Sequence, residues 1–78
     1  MSYFDVMENI TDRQQQLGRR IKQRRVEAGY TQRELALMIE TSQSYLWKLE
    51  AGRLNASVVA LCRIADALDT TVNDLIEF

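Results

Sequence analysis

The sequence predicts an all-α domain of five helices. Three observations carry that prediction. No Val/Ile-rich alternating run of strand length occurs in the 78 residues. Apolar residues return at helical spacing five times, bounded by residues that cap or stop helices. The chain has no proline and three glycines, Gly18, Gly29 and Gly52, so few positions interrupt a helix. A chain of this length supports one small domain with one modest core.

Helix 1 is expected to start near Thr11 or Asp12 and to run to about Ala28, with Leu17, Ile21 and Val26 inward and Gly29 as its stop. Helix 2 has the clearest start. Thr31-Gln32-Arg33-Glu34 fits a capping box, and Leu35, Ala36, Met38 and Ile39 form the apolar side. Helix 3 follows a short break at Glu40-Thr41, with Ser42 as cap and Gly52 as stop. For helix 4, Asn55 is the preferred cap and Ser57 the alternative, and Leu54 with Val59 suits a hydrophobic staple. Its expected inner face is Val58, Leu61, Ile64, Ala65 and Leu68. Helix 5 is short, capped by Thr71, with Asp74 at the third position and Val72, Leu75 and Ile76 inward. This divides the chain into an N-terminal arm, residues 1–12, and a domain over 13–78. In the arm, Tyr3, Val6, Met7 and Ile10 keep helical spacing, but so short a stretch is marginal alone and is expected to order in an oligomer.

Composition then limits function. Apolar residues are 46% and charged residues 27%, a globular balance. No apolar run approaches the roughly 20 residues that span a bilayer, and the N-terminus lacks the basic-then-apolar order of a signal peptide, so a cytoplasmic protein without membrane contact is expected. There is no histidine, and the one cysteine, Cys62, cannot form an internal disulfide. That removes Cys/His zinc sites, His-based triads and most imidazole acid–base chemistry. No glycine-rich phosphate loop is present. No catalytic residue, metal ligand or cofactor is therefore expected. Cys62 reads as a small inert residue rather than a redox sensor.

The net charge of −1 conceals a pattern. Residues 1–12 carry three acids and no base; residues 13–53 carry nine bases and four acids; residues 54–78 carry one base and four acids. A basic middle between acidic ends is either a solvated helix face or an electrostatic stripe for a polyanion.

The motif in that middle decides between them. Helix 2 ends near Ile39 and helix 3 begins near Ser42, two short helices joined by a tight turn. The stretch TQRELALMIETSQSYLWKLEAGR resembles the DNA-binding helix-turn-helix of the phage repressor and Cro (XRE/Cro/cI-type) family. Thr31-Gln32-Arg33-Glu34-Leu35-Ala36 matches the opening of the motif and Ser42 to Gly52 its close. Leu17, Gly18 and Ile21 match the helix 1 segment, and Leu61, Ile64, Ala65 and Leu68 that of helix 4. The resemblance covers roughly residues 16–77. It implies a compact five-helix repressor-like domain that binds DNA as a dimer. There are two departures. Glu40 stands where the family usually has a turn glycine, and Ala56 where helix 4 usually opens with proline. A left-handed non-glycine at position 40 would cost about 1–2 kcal/mol.

A helical wheel selects the contact residues. With Leu46 and Leu49 inward, Ser44 points almost directly outward and Trp47 and Lys48 flank it at about 130° from the core axis. Tyr45 and Glu50 fall on the borders at about 70°. With Gln43 in the first turn, the expected base contacts are Gln43, Ser44, Trp47 and Lys48. Gln43 suits adenine, Lys48 guanine or a phosphate, and Trp47 thymine methyls or the sugar–phosphate wall. Trp47 has a competing reading, contact with Tyr3 and Phe4 of the same or another chain. Gln32, Arg33, Arg53 and Asn55 are the expected backbone contacts, Gln32 also buttressing helix 3 as the resemblance implies. Helix 1 adds Arg19, Arg20, Lys22 and Arg24, of which one or two are expected to reach the DNA backbone. The resemblance further implies a structural ion pair between Arg25 and Glu50.

The expected function is thus a sequence-specific DNA-binding transcriptional regulator, a homodimer on a palindromic operator. Dimer contacts are expected from helix 5 and Phe78, the one residue left after it, so regulation should come from concentration, operator affinity or a partner such as a toxin. The alternative is an antitoxin-like or antirepressor protein-interaction module on the same fold.

Overall fold

The computed structural model describes the backbone of residues 3–77 and the side chains of residues 12–77. Five helices follow in order: α1 (Tyr3–Glu27), α2 (Gln32–Met38), α3 (Gln43–Glu50), α4 (Val58–Ala67) and α5 (Val72–Ile76). Among the described residues there is no strand.

The capping chemistry sets most of the boundaries. At α2 the Thr31 hydroxyl accepts from the Glu34 N–H at 3.1 Å and the Glu34 carboxylate accepts from the Thr31 N–H at 3.0 Å, a complete capping box. That backbone hydrogen bond first, then the Thr31 side chain, holds the Glu34 carboxyl below its ordinary pKa. Ser42 caps α3 through the Tyr45 N–H, and Thr71 caps α5 through the Asp74 N–H. Four helices end the same way, on a left-handed residue: Gly29, Glu40, Gly52 and Asp69. Each end carries the paired reversed bonds of a Schellman motif. For α2 these run from Glu40 N–H to the Leu37 carbonyl at 3.2 Å and from Thr41 N–H to the Ala36 carbonyl at 2.9 Å. The turn therefore keeps its left-handed geometry without glycine, with Glu40 at φ 58°.

The core gathers Leu17 and Ile21 from α1, Leu35 and Ala36 from α2 with Ile39 at its end, Leu46 and Leu49 from α3, Ile64 and Ala65 from α4 with Leu68 at its end, and Leu75 from α5. Gly18 lets α1 approach α3 at backbone distance. A Cβ there would sit 2.5 Å from the Leu49 carbonyl oxygen and 2.6 Å from that of Glu50.

Several boundaries and faces differ from the sequence expectation. Helix α1 begins at Tyr3, not near Thr11. No glycine or proline interrupts residues 3–12, and extending an existing helix is far easier than nucleating one. The side chains of Tyr3 and Phe4, and Phe78 as a dimer contact, lie outside the described residues. Ser57, not Asn55, caps α4, its hydroxyl accepting from the Ala60 N–H at 3.0 Å. Asn55 is held elsewhere: its Oδ1 accepts from Gln14 Nε2 at 2.7 Å. This moves the helix start by two residues, so Leu54 packs on the core while Val59 is exposed and the proposed staple does not form.

Val26, Met38, Val58 and Ile76, all expected inward, are exposed. The i+4 step from Ile21 lands on Arg25, which takes the inward place expected for Val26. Met38 lies about 100° from the centre of the Leu35/Ala36/Ile39 face. Val58 is the first helical residue, with no preceding turn to cover it, and it is exposed. Helix α5 is five residues long and buries Leu75 alone, with Val72 half-buried beside it.

Candidate nucleic-acid interface

Helix α3 has two unlike sides, and the inner one orients the outer one. Leu46 and Leu49 are fully buried. Glu50, placed by the wheel at a border, is buried as well, because it is neutralised there. Arg25 grips it with two parallel bonds, Nε to Oε2 at 2.7 Å and Nη2 to Oε1 at 3.0 Å. The third guanidinium nitrogen, Nη1, donates to the Tyr30 carbonyl at 2.9 Å. Gln32 Nε2 adds a bond to Glu50 Oε1 at 3.1 Å. One carboxylate thus ties α3 to α1 and α2, and no buried side-chain nitrogen or oxygen among the described residues lacks a partner. A buried ion pair satisfied to this degree fixes geometry more than it adds stability.

The outer side is Gln43, Ser44, Trp47 and Lys48. The first, second and fourth are exposed, and Trp47 is 48% exposed. Tyr45 is half-buried against the core. The outward orientation read from the wheel therefore holds for Ser44, Trp47 and Lys48, and Gln43, chosen for its place in the first turn, is exposed beside them. Their side chains present an amide, a hydroxyl, an indole and an ammonium, groups that can read base edges in a groove.

The four proposed backbone contacts have different surroundings. Gln32 is half-buried and lines a cleft of about 110 Å³ with Lys22, Trp47, Glu50 and Ala51. Arg33 is exposed in the first turn of α2. Arg53 lies over the indole of Trp47, its Cζ 5.3 Å from the ring centroid. Asn55 is exposed and anchored by Gln14. The structure thus brings Gln32, Trp47 and Arg53 together at one end of α3, with Arg33 and Asn55 on flanking segments. Of the helix 1 cations, Arg20 is committed elsewhere: its Nη1 donates to the carbonyls of Asp74 and Glu77, tying α5 to α1. Arg19 and Lys22 remain exposed.

Two features escaped sequence reasoning. The Trp47–Arg53 stack spans the end of a helix, where wheel geometry no longer applies; Gly52 between them was the available signal that the chain reverses there. The Gln14–Asn55 bond joins residues distant in sequence and has no local signal. Among the described residues no cluster of His, Cys, Asp or Glu has metal-site geometry, and no helix is long and apolar enough to cross a membrane.

Comparison with known proteins agrees with this geometry. A family model described as a helix-turn-helix domain matches residues 16–78. Among solved structures, the clp gene regulator ClgR from Corynebacterium glutamicum superposes with a TM-score of 0.80 at 34% identity, covering 83% of this chain and 69% of that one. The restriction-modification controller protein C.AhdI from Aeromonas hydrophila gives 0.76 at 31% identity, covering 78% and 92%. The SinR protein/SinI protein complex gives 0.76 at 37% identity, covering 78% and 60%. No curated protein sequence matches significantly. The domain match, the five-helix order and the exposed outer side of α3 together place the chain in the helix-turn-helix family of XRE/Cro/cI-type DNA-binding regulators.

Proposed function

We propose that the chain is a cytoplasmic, sequence-specific transcriptional regulator that binds a palindromic operator as a homodimer, with α3 in the major groove. The observation that carries this reading is the outer side of α3. Four polar or amphipathic side chains stand exposed on a helix whose other side is locked by Leu46, Leu49 and the Arg25–Glu50–Gln32 network. Gln43, Ser44, Trp47 and Lys48 read bases; Gln32, Arg33, Arg53 and Asn55 set the register on the phosphates. No catalytic step, metal or cofactor enters this role. Two protomers place their α3 helices about one helical turn apart, hence the palindrome.

The test is a gel shift on the DNA upstream of the chain's own coding region, against random duplex, over a salt series. Preferential, salt-sensitive binding is expected, because each neutralised phosphate releases counterions. Indifference to salt would remove the phosphate contacts from the account. Sedimentation checks the dimer; a strict monomer at high micromolar concentration contradicts it.

A second reading is a protein-interaction module, antitoxin-like or antirepressor, with a protein partner such as a toxin. The exposure of Leu37, Val58 and Val59 favours it, since apolar side chains of that size suit a protein surface. A matched solved structure is itself a complex of two proteins, SinR and SinI. Absence of any DNA preference at low salt would favour this second reading over the first.

A further inference from the structure

We infer that Trp47 is a positioning residue for Arg53: its ring holds the guanidinium at the end of α3, with N–H groups presented to a DNA phosphate. The inference rests on the DNA-binding reading above and revises it at one residue: Trp47 acts on a phosphate through Arg53 rather than on a base.

Burial does not account for Trp47, which is 48% exposed on the side of α3 opposite Leu46 and Leu49. Its described partner is Arg53, whose Cζ lies 5.3 Å from the ring centroid, within cation–π range. The backbone brings Arg53 to that place. Helix α3 ends on Gly52 at φ 74°, with Gly52 N–H bonded to the Leu49 carbonyl at 3.1 Å and Arg53 N–H to the Lys48 carbonyl at 3.0 Å. The reversal is confined from outside as well, since a Cβ on Gly52 would lie 2.9 Å from Gln15 Cα. Arg53 therefore starts from a fixed backbone position, six residues after Trp47 and just past the end of α3.

Among the described residues no carboxylate pairs with Arg53, unlike Arg25 and Arg63. A cation–π contact uses no N–H group as a conventional hydrogen-bond donor, so the outer edge of the guanidinium keeps donors for hydrogen bonds. That edge matches the planar fork of two phosphate oxygens. An arginine already held in one orientation loses less freedom when it binds. The contribution of Trp47 thus passes through a phosphate contact, and it must carry the salt dependence of one. A direct contact of Trp47 with thymine methyls carries none.

The experiment is fluorescence anisotropy of the full chain on a fluorescein-labelled random-sequence duplex over a salt series, with thermal melts confirming that each variant folds. Trp47→Ala should weaken binding about three- to tenfold and lower the log–log salt slope by about one per protomer, the change that Arg53→Ala produces. Trp47→Ala combined with Arg53→Ala should be no weaker than Arg53→Ala alone. Trp47→Phe, which keeps a ring face without the indole N–H, should restore both affinity and slope, and it tests the claim even if the alanine variant does not fold. The inference is overturned if Trp47→Ala weakens binding with the slope unchanged, if the two losses add, or if Trp47→Phe matches Trp47→Ala. A wild-type chain that binds no duplex at low salt overturns it together with the DNA-binding reading.

Discussion

The inner and outer sides of α3 differ in what surrounds each residue. On the inner side Leu46 and Leu49 are enclosed by the core, and Glu50 accepts from Arg25 and Gln32. On the outer side Gln43, Ser44 and Lys48 are exposed, and Trp47 meets Arg53 across the helix end. The aim of the outer side chains is thus set largely by Leu46, Leu49, Arg25 and Glu50, none of which is a proposed DNA contact. The inner side is sensitive to shape and charge balance, whereas the outer side is free to vary with the surface it meets.

Substitutions can break that contrast, and the largest effect belongs to the ion pair. Glu50→Ala leaves the Arg25 guanidinium buried without its carboxylate and should cost about 3–5 kcal/mol in urea unfolding. Replacing Arg25 and Glu50 together by apolar residues of similar volume should recover much of that loss, because the penalty lies in the uncompensated charge. Next is the close approach of α1 to α3. Gly18→Ala puts a methyl against two backbone carbonyls that cannot rotate away, and it should destabilise by about 1–3 kcal/mol.

The α2 cap comes third. Thr31→Ala should cost about 1 kcal/mol, read by thermal melt. The Glu34 carboxyl titrates below its ordinary range in the folded chain, chiefly through the hydrogen bond from the Thr31 backbone N–H. Its contribution is therefore complete above the unfolded pKa and disappears as pH falls through the depressed folded one. Glu34→Gln should flatten that part of the acid limb.

Glu40→Gly should act in the opposite direction. It relieves a left-handed glutamate at φ 58° and gives up only an exposed 3.7 Å pair with Arg63, for a net gain of up to about 1 kcal/mol. The smallest stability effect belongs to the outer side. Lys48→Ala should stay within about 0.5 kcal/mol of wild type, and Trp47→Ala, which gives up the Arg53 contact, should cost about 1 kcal/mol, both while weakening DNA binding. A loss of several kcal/mol from either would show that the two sides are not distinct.

Legibility in the sequence follows the same division. The register of α3 was readable because Ser42 caps it and Leu46 and Leu49 leave one direction for the core. The outer side then followed by elimination, Trp47 included. The start of α4 was less readable: Asn55 and Ser57 are both good caps, two residues apart. A tertiary bond from Gln14 occupies Asn55, and no local pattern announces it. Errors in the core faces collected at helix ends, at Val26, Met38, Val58 and Ile76, where a neighbouring turn is missing or a charged residue takes the inward place. The Arg25–Glu50 pair came from family resemblance, since two charges so far apart in the chain carry no spacing rule. The Trp47–Arg53 stack was not legible, because it depends on the chain reversal at Gly52.

The central claim is that the outer side of α3 reads sequence. The most direct test is the ratio of affinities for the upstream DNA over a random duplex, at one fixed salt concentration, for wild type, Gln43→Ala and Lys48→Ala. The account predicts a wild-type ratio well above one, and a fall for each variant equivalent to about 1–3 kcal/mol of discrimination with the folded state intact. A ratio that both substitutions leave unchanged would contradict it.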